Sequence, residues 1–262
     1  MPRVALVTGA ARGIGAATVA ALAERGWCVL AVDRAADDPA LPYALGTEAE
    51  LHAVVDRCAA PDRVAAFVAD VRDVDALAAA VDVAEQRWGG LDAALAVAGV
   101  IAGGAPHWDV DSDRERAVLD VNLGGVLNLA RVAVPALLRR PVPRSGRFVA
   151  VASAAATRGL PSLAAYCAAK AGVAGFVRAL AVELGDSGVT ANAVSPGSTD
   201  TAMLAESARL YGLPGAASFA EQQPVGRLVR PEEVAAMLAH LAGVDAGAIT
   251  GALIPVDGGL AL

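Results

Sequence analysis

Residues 3–15 read RVALVTGAARGIG. A continuous apolar run ends at Thr8, and Gly9, Gly13 and Gly15 follow before an alanine-rich stretch begins. A continuous run is how a strand buried on both faces reads, and the stretch after it has helical length and spacing. Glycines at such a joint allow a tight turn and let backbone come close to a pyrophosphate. The start of the helix adds free N–H groups and a partial positive charge. The same glycines in another setting would make an ordinary turn; the strand–turn–helix order is what points to a nucleotide.

The pattern repeats outward from this joint. Strands are expected at 3–8, 28–33, 64–69, 92–98, 147–152, 189–194 and 252–256, with helices near 14–25, 47–59, 73–88, 111–139, 162–185 and 231–242. Strand–helix alternation predicts an α/β fold: a Rossmann-type, doubly wound parallel sheet of about seven strands, helices on both faces and right-handed crossovers. No linker, repeat or charge block interrupts it, so residues 1–262 are expected to form a single dinucleotide-binding and catalytic domain. Ligands of such sheets bind beyond the carboxyl ends of the strands.

Composition narrows the partners. With 56% apolar but only 4% aromatic residues, the core must be built from Ala, Val and Leu. A net charge of −7 with scattered arginines argues against nucleic acid. The apolar segments are short, or broken by Asn, Arg, Gly or Pro, so no membrane span is expected. The amino terminus runs straight into a strand, which argues against a signal peptide. Cys28, Cys58 and Cys167 form no pairing or metal pattern, and His52, His107 and His240 stand alone. These features imply a cytoplasmic protein without a metal site.

The spacing TGxxxGIG resembles the short-chain dehydrogenase/reductase (SDR) family. The resemblance implies that Thr8, Gly9, Arg12, Gly13, Ile14 and Gly15 surround the cofactor diphosphate. Asp33 ends the second strand eighteen residues beyond Gly15. A carboxylate there accepts from ribose hydroxyls and repels a 2′-phosphate, which favours NAD over NADP, although Arg12 and Arg34 lie close in sequence. By resemblance, Asp70 and Val71 meet the adenine. Gly99, in Ala96-Val97-Ala98-Gly99, keeps close approach to the nicotinamide ribose, yet both asparagines of the family's NNAG are missing. Pro196, Gly197, Thr199 and Thr201 resemble the PGxxxT segment that meets the nicotinamide. PVDGG (255–259) resembles the family's last strand and turn, so the likeness spans essentially the whole chain.

Lys170 is the only lysine, against twenty arginines. It follows Tyr166 by four residues on a predicted helix, with Ser162 placed to cap it. Asn122, Ser153, Tyr166 and Lys170 match the family's catalytic set. Removing a hydroxyl proton needs a tyrosinate, and bringing its pKa from about 10 to neutrality requires roughly 4 kcal/mol. A nearby ammonium contributes on that order, about 4 kcal/mol at 4 Å and an effective dielectric near 20. A compact ammonium reaches both ribose hydroxyls and still sits near the tyrosine, which a planar guanidinium does less easily. Ser153 would hydrogen-bond the reacting oxygen, and Asn122 would hold a water beside Lys170.

The implied activity is hydride transfer between NAD and an uncharged, fairly hydrophobic secondary alcohol or ketone, since no arginine is obviously placed for a substrate carboxylate. Ile101, Ala102, Ala155, Leu160, Met203, Leu204 and Tyr211 are candidate walls, under a lid within 198–228. His107 and Trp108 read as surface or packing residues. The connection between Asp33 and Asp70, which opens with RAADDPALPYALG (34–46), is about ten residues longer than usual for the family, and with VAGVIAGGAPHWD (97–109) it resembles the mycofactocin-associated SDR subgroup. That likeness implies tightly retained NAD and a peptide-derived redox carrier as partner. The family also implies a homo-oligomer, most often a tetramer. An NADP-linked ketoacyl-type reductase and a non-catalytic nucleotide sensor remain as alternatives.

Overall fold

A computed structural model describes residues 2–58 and 62–262. Seven strands form one sheet in the order β3-β2-β1-β4-β5-β6-β7. They are β1 (Val4–Thr8), β2 (Cys28–Asp33), β3 (Val64–Val68), β4 (Ala93–Ala96), β5 (Arg147–Val151), β6 (Thr190–Pro196) and β7 (Leu253–Val256). Every neighbouring pair is parallel. The expected strands and their order along the chain are all present.

Alternate residues of each strand enter two separate cores, as a two-fold side-chain period requires. Leu6, Leu30 and Phe148 face one side, under α3 (Val74–Trp88), α5 (Gly125–Arg139) and α6 (Ala164–Glu183). Val7, Ala31 and Val149 face the other, under α1 (Gly13–Glu24), α2 (Glu48–Asp56) and α8 (Pro231–Ala242). The segments 112–139 and 164–183 have the length and mean hydropathy of membrane spans, 1.5 and 1.3, but both lie packed on this sheet.

Several local expectations are corrected. The helix anticipated over 111–139 runs unbroken from Ser112 to Arg139 but contains a π-helical turn at Asp120–Gly124, between α4 (Ser112–Leu119) and α5. That turn carries Asn122, and single π-turns of this kind are often found at functional sites. Ser162 does not cap α6; the cap position is Leu163, without a side-chain bond, and Ser162 itself takes φ +60°. Thr47 caps α2 through a reciprocal pair with Glu50; position 59 of that predicted helix lies outside the described residues. An additional helix, α7 (Ala202–Leu210), with a 3-10 stretch at Ala216–Gln222, gives structure to the anticipated lid.

The strand order reverses between β1 and β4, and the chain packs most tightly there. A Cβ on Gly9 would lie 2.7 Å from Ala98 Cα, and one on Gly15 would enter the Gly9 carbonyl oxygen. Both neighbours are backbone and cannot swing away. Gly15→Ala is therefore expected to cost several kcal/mol or to leave the protein unfolded; a melting temperature within a few degrees of wild type would contradict this close approach.

Candidate active site

A cavity of about 890 Å³ runs across the carboxyl ends of β2, β1 and β4. Gly9, Arg12, Gly13, Ile14, Gly15, Asp33, Arg34, Asp70, Val71, Ala98 and Gly99 all line it. Thr8 is not among the lining residues. Its buried hydroxyl accepts from the Val97 and Ala98 amides at 3.1 and 3.3 Å, tying β1 to the end of β4.

The Asp33 carboxylate accepts from the amides of Ala11 and Ala35, each at 3.0 Å, and so stands at the edge of the glycine loop. The arginines beside it are engaged elsewhere. Arg12 donates to the Ala44 carbonyl at 2.6 Å. Arg34 pairs with Asp38 at 2.6 Å and with Asp70 at 3.3 Å, and Arg72 pairs with the same two carboxylates. Asp70 thus enters the cavity as part of an ion-pair network.

The long connection folds over the cleft. Leu41 is buried, and Tyr43, Leu45 and Gly46 line the cavity. The Tyr43 hydroxyl accepts from the Ile101 amide at 3.0 Å; burial pushes its pKa up to about 12, so it stays neutral. Asn122 also serves this loop: its Oδ1 accepts from the Val100 amide at 2.9 Å and its Nδ2 donates to the Val100 carbonyl at 2.8 Å. Its side chain is therefore a backbone clamp. Thr8, Tyr43 and Asn122 together fix the segment 97–101. The NNAG asparagines are gone, and side chains from elsewhere hold the loop.

A second cavity, of about 520 Å³, contains Ser153, Tyr166 and Lys170, and Ile14, Val97, Gly99, Thr201 and Met203 line both cavities. Pro196, Gly197 and Thr199 line it as well. Ser153 follows β5 and its Oγ accepts from the Ala155 amide at 3.1 Å, while its hydroxyl lies near enough to Tyr166 to favour the ionised tyrosine. Tyr166 and Lys170 sit on the buried face of α6. Lys170 Nζ donates to the Val151 carbonyl at 2.8 Å and lies 5.8 Å from the Tyr166 ring centre. A Cβ on Gly99 would lie 2.9 Å from Asn122 Oδ1, so glycine leaves the Asn122 clamp its space beside that ammonium.

Burial dominates both ionisable groups. It pushes Lys170 down to about 8, leaving it mostly protonated at neutral pH. It pushes Tyr166 above its ordinary value, and the nearby Ser153 hydroxyl only partly opposes this. Without a cofactor, burial therefore outweighs what favours the ionised tyrosine; an oxidised nicotinamide beside the hydroxyl would add a second positive charge to that of Lys170.

Ile101, Leu160, Met203, Leu204 and Tyr211 line the second cavity as anticipated; Ala102 and Ala155 do not. Trp108 is 83% exposed and far from being a packing residue. Sequence reasoning missed Tyr43 and Arg158, which lines the second cavity. Arg158 was detectable as the one charge between Ser153 and Tyr166. The three cysteines are free, and no group of three or more His, Cys, Asp or Glu is placed to hold a metal among the described residues.

Residues 9–261 match the family model described as enoyl-(acyl carrier protein) reductase. The chain is 41% identical over 259 residues to cis-4-hydroxycyclohexanecarboxylate dehydrogenase of Sinomonas cyclohexanicum, covering 98% of this chain and 96% of that one. The chain belongs to the short-chain dehydrogenase/reductase family. Within it, a (−)-trans-carveol dehydrogenase of Rhodococcus erythropolis is 36% identical over 273 residues, 99% of this chain and 98% of the relative. Carveol dehydrogenase of Mycobacterium avium, solved in complex with NAD, superposes with a TM-score of 0.91 at 33% identity over 98% of this chain and 97% of its own. The protein is an SDR oxidoreductase with the Rossmann-like fold of its relatives.

The depressed Lys170 pKa has a thermodynamic sign. Because it lies below the unfolded value of 10.5, the buried ammonium costs stability fully below pH 8, and the cost fades as pH rises from 8 to 10.5. A difference of about 2.5 units corresponds to roughly 3 kcal/mol, offset by about 1 kcal/mol for the lost bond to Val151. Lys170→Met should therefore gain about 1–2 kcal/mol in denaturant melts at pH 7, with a smaller gain near pH 10. Destabilisation at pH 7 would refute the assignment.

Proposed function

We propose that the protein oxidises a ring-bearing secondary alcohol, or reduces the matching ketone, with NAD. The carrying observation is that Ser153, Tyr166 and Lys170 meet in a cavity that shares its wall at Ile14, Val97 and Gly99 with the nucleotide cleft. An alcohol there lies between a proton acceptor and the place where a hydride leaves. When bound, the nicotinamide supplies the hydride acceptor and the positive charge that burial of Tyr166 calls for.

The chain's own residues then have distinct tasks. Tyr166 takes the hydroxyl proton on oxidation and returns it on reduction. Ser153, in the same cavity as the tyrosine, donates to the reacting oxygen. Lys170 keeps a positive charge below this pair and reaches the cofactor ribose. Asn122 acts one step removed, by fixing Val100 beside Gly99. Thr199 and Thr201 stand where the family meets the nicotinamide, and Thr201 also caps α7, coupling that site to the lid.

Three features support NAD over NADP. Asp33 stands at the ribose end of the glycine loop, and Arg12 and Arg34 are both committed to other partners. A relative with the same fold carries NAD. The folded connection 34–46 supports slow cofactor exchange, and with it the mycofactocin-type redox carrier as an external electron acceptor. The relatives that act on hydroxycyclohexanecarboxylate and carveol support a ring-bearing alcohol. The outer face of α6 presents exposed Ala164, Ala168, Ala171 and Gly175, which suits association of copies, with a tetramer favoured, in the cytoplasm.

Two experiments test this reading. Tyr166→Phe should lower turnover by at least about a thousandfold while NAD affinity stays within a few-fold; appreciable activity in that variant removes the mechanism. Denaturing the freshly purified protein and separating the released nucleotide should yield NAD in near-stoichiometric amount. An empty protein would rule out retention, and released NADP would overturn the role given to Asp33.

A further inference from the structure

The wall of the second cavity is asymmetric in charge. It contains two cations, Lys170 and Arg158, and neither aspartate nor glutamate. Lys170 is buried at the catalytic end, with its ammonium on the Val151 carbonyl. Arg158 is at the exposed rim. The remaining polar side chains of the wall, among them Ser198, Ser207, Tyr211 and Gln222, are neutral.

Arg158 has no carboxylate partner within 4.0 Å among the described residues; its recorded bond goes from Nη1 to the Leu260 carbonyl. A guanidinium has five N–H donors in a planar fork that fits a carboxylate bidentately. Most of that capacity is unused, next to a largely apolar wall.

The backbone that carries it is well held. The Arg158 amide donates to the Ala154 carbonyl at 3.0 Å, one turn beyond Ser153. The Cys167 thiol, on α6 beside Tyr166, donates to the Arg158 carbonyl at 3.8 Å and accepts from the Leu160 amide at 3.4 Å. Across the opening, the Tyr211 hydroxyl donates to the Pro161 carbonyl at 2.8 Å, tying the end of α7 to the same loop. The Arg158 backbone is thus tied to Ala154 and Cys167, the chain neighbours of the serine and the tyrosine that face the reacting hydroxyl.

We propose that Arg158 is the anchor for a carboxylate on the substrate, so that the alcohol handled here is a hydroxy acid. Its hydroxyl lies at Tyr166, its apolar body against Ile101, Leu160 and Met203, and its acid group at the mouth. This replaces the uncharged substrate expected from sequence, and it rests on the alcohol-oxidation reading above. In a chain of net charge −7, an approaching anion meets overall repulsion, so a local cation at the mouth also favours productive entry.

The test compares 4-hydroxycyclohexanecarboxylate with its methyl ester, which differs chiefly in charge. Wild type should prefer the acid in kcat/KM. In Arg158→Gln the acid-to-ester preference should fall about tenfold, through KM of the acid, as expected for loss of a charge-assisted bond. Arg158→Lys should restore part of it. Equal losses for acid and ester would make Arg158 only a latch for the carboxyl-terminal segment and overturn the proposal, as would a wild-type preference for the ester. Calorimetric binding of cyclohexanecarboxylate to the NAD-loaded protein reads the anchor without turnover. Binding that is present in wild type and weakened in Arg158→Gln, with neither alcohol oxidised, would leave the anchor standing and remove the dehydrogenase reading. No binding in wild type would remove the anchor.

Discussion

Parallel strands cannot be joined by hairpins, so each must be reached by a crossover, and a chain that winds outward in both directions from its first strand leaves a crevice where the directions part. Here the crevice opens between β1 and β4, and the rest of the site depends on how closely the backbone can close below it. Gly9 and Ala98 touch there, Gly15 lies against Gly9, and the start of α1 points into the opening. Any side chain at those glycines would collide with the backbone opposite and force the base of the crevice apart. Asp33, at the end of the neighbouring strand, is held at the rim by two amides and marks the far limit of the cleft.

The chemistry resides on α6, and its physical logic is burial. Tyr166 and Lys170 face the core from one side of the helix, where desolvation moves their pKa values in opposite directions. A raised tyrosine is a poor base, and a lowered lysine is an ammonium held at a cost. Such a pair is poised to respond when positive charge arrives nearby, since the tyrosine then gains stabilisation in a medium that screens poorly. The site is therefore incomplete by design without its cofactor, and the protein carries a destabilising charge in order to keep it.

The fold was legible because its signals are local. The continuous apolar runs gave all seven strands, and the joint at 8–15 located the crevice. Ser153, Tyr166 and Lys170 were legible through spacing, and the structure brings them together in one cavity. The misses share a cause: each depends on contacts between distant segments. Nothing in residues 111–139 announces a π-turn, which coincides with the bonds between Asn122 and the Val100 backbone, twenty-two residues away in sequence. Ser162 resembles a helix cap in sequence, but its carbonyl is taken by the Gly104 amide and its backbone turns left-handed. The bonds from the Val97 and Ala98 amides to the Thr8 hydroxyl likewise join distant segments and leave no mark in the local sequence. Arg158 drew no attention among twenty arginines, since an arginine's partner, or lack of one, is not written beside it in the sequence.

The clamp on residues 97–101 bears on how such an enzyme changes over generations. The conformation of that wall is specified by Thr8, Tyr43 and Asn122, which lie in three separate parts of the chain, and hardly at all by the wall's own side chains. Substitutions at Val97, Val100 or Ile101 can therefore reshape what the active site accepts without unmooring the main chain beneath them. Shape and support are inherited separately. A lineage with this arrangement can explore new alcohols by changing the lining alone, while the three distant clamps stay under a different and stricter selection.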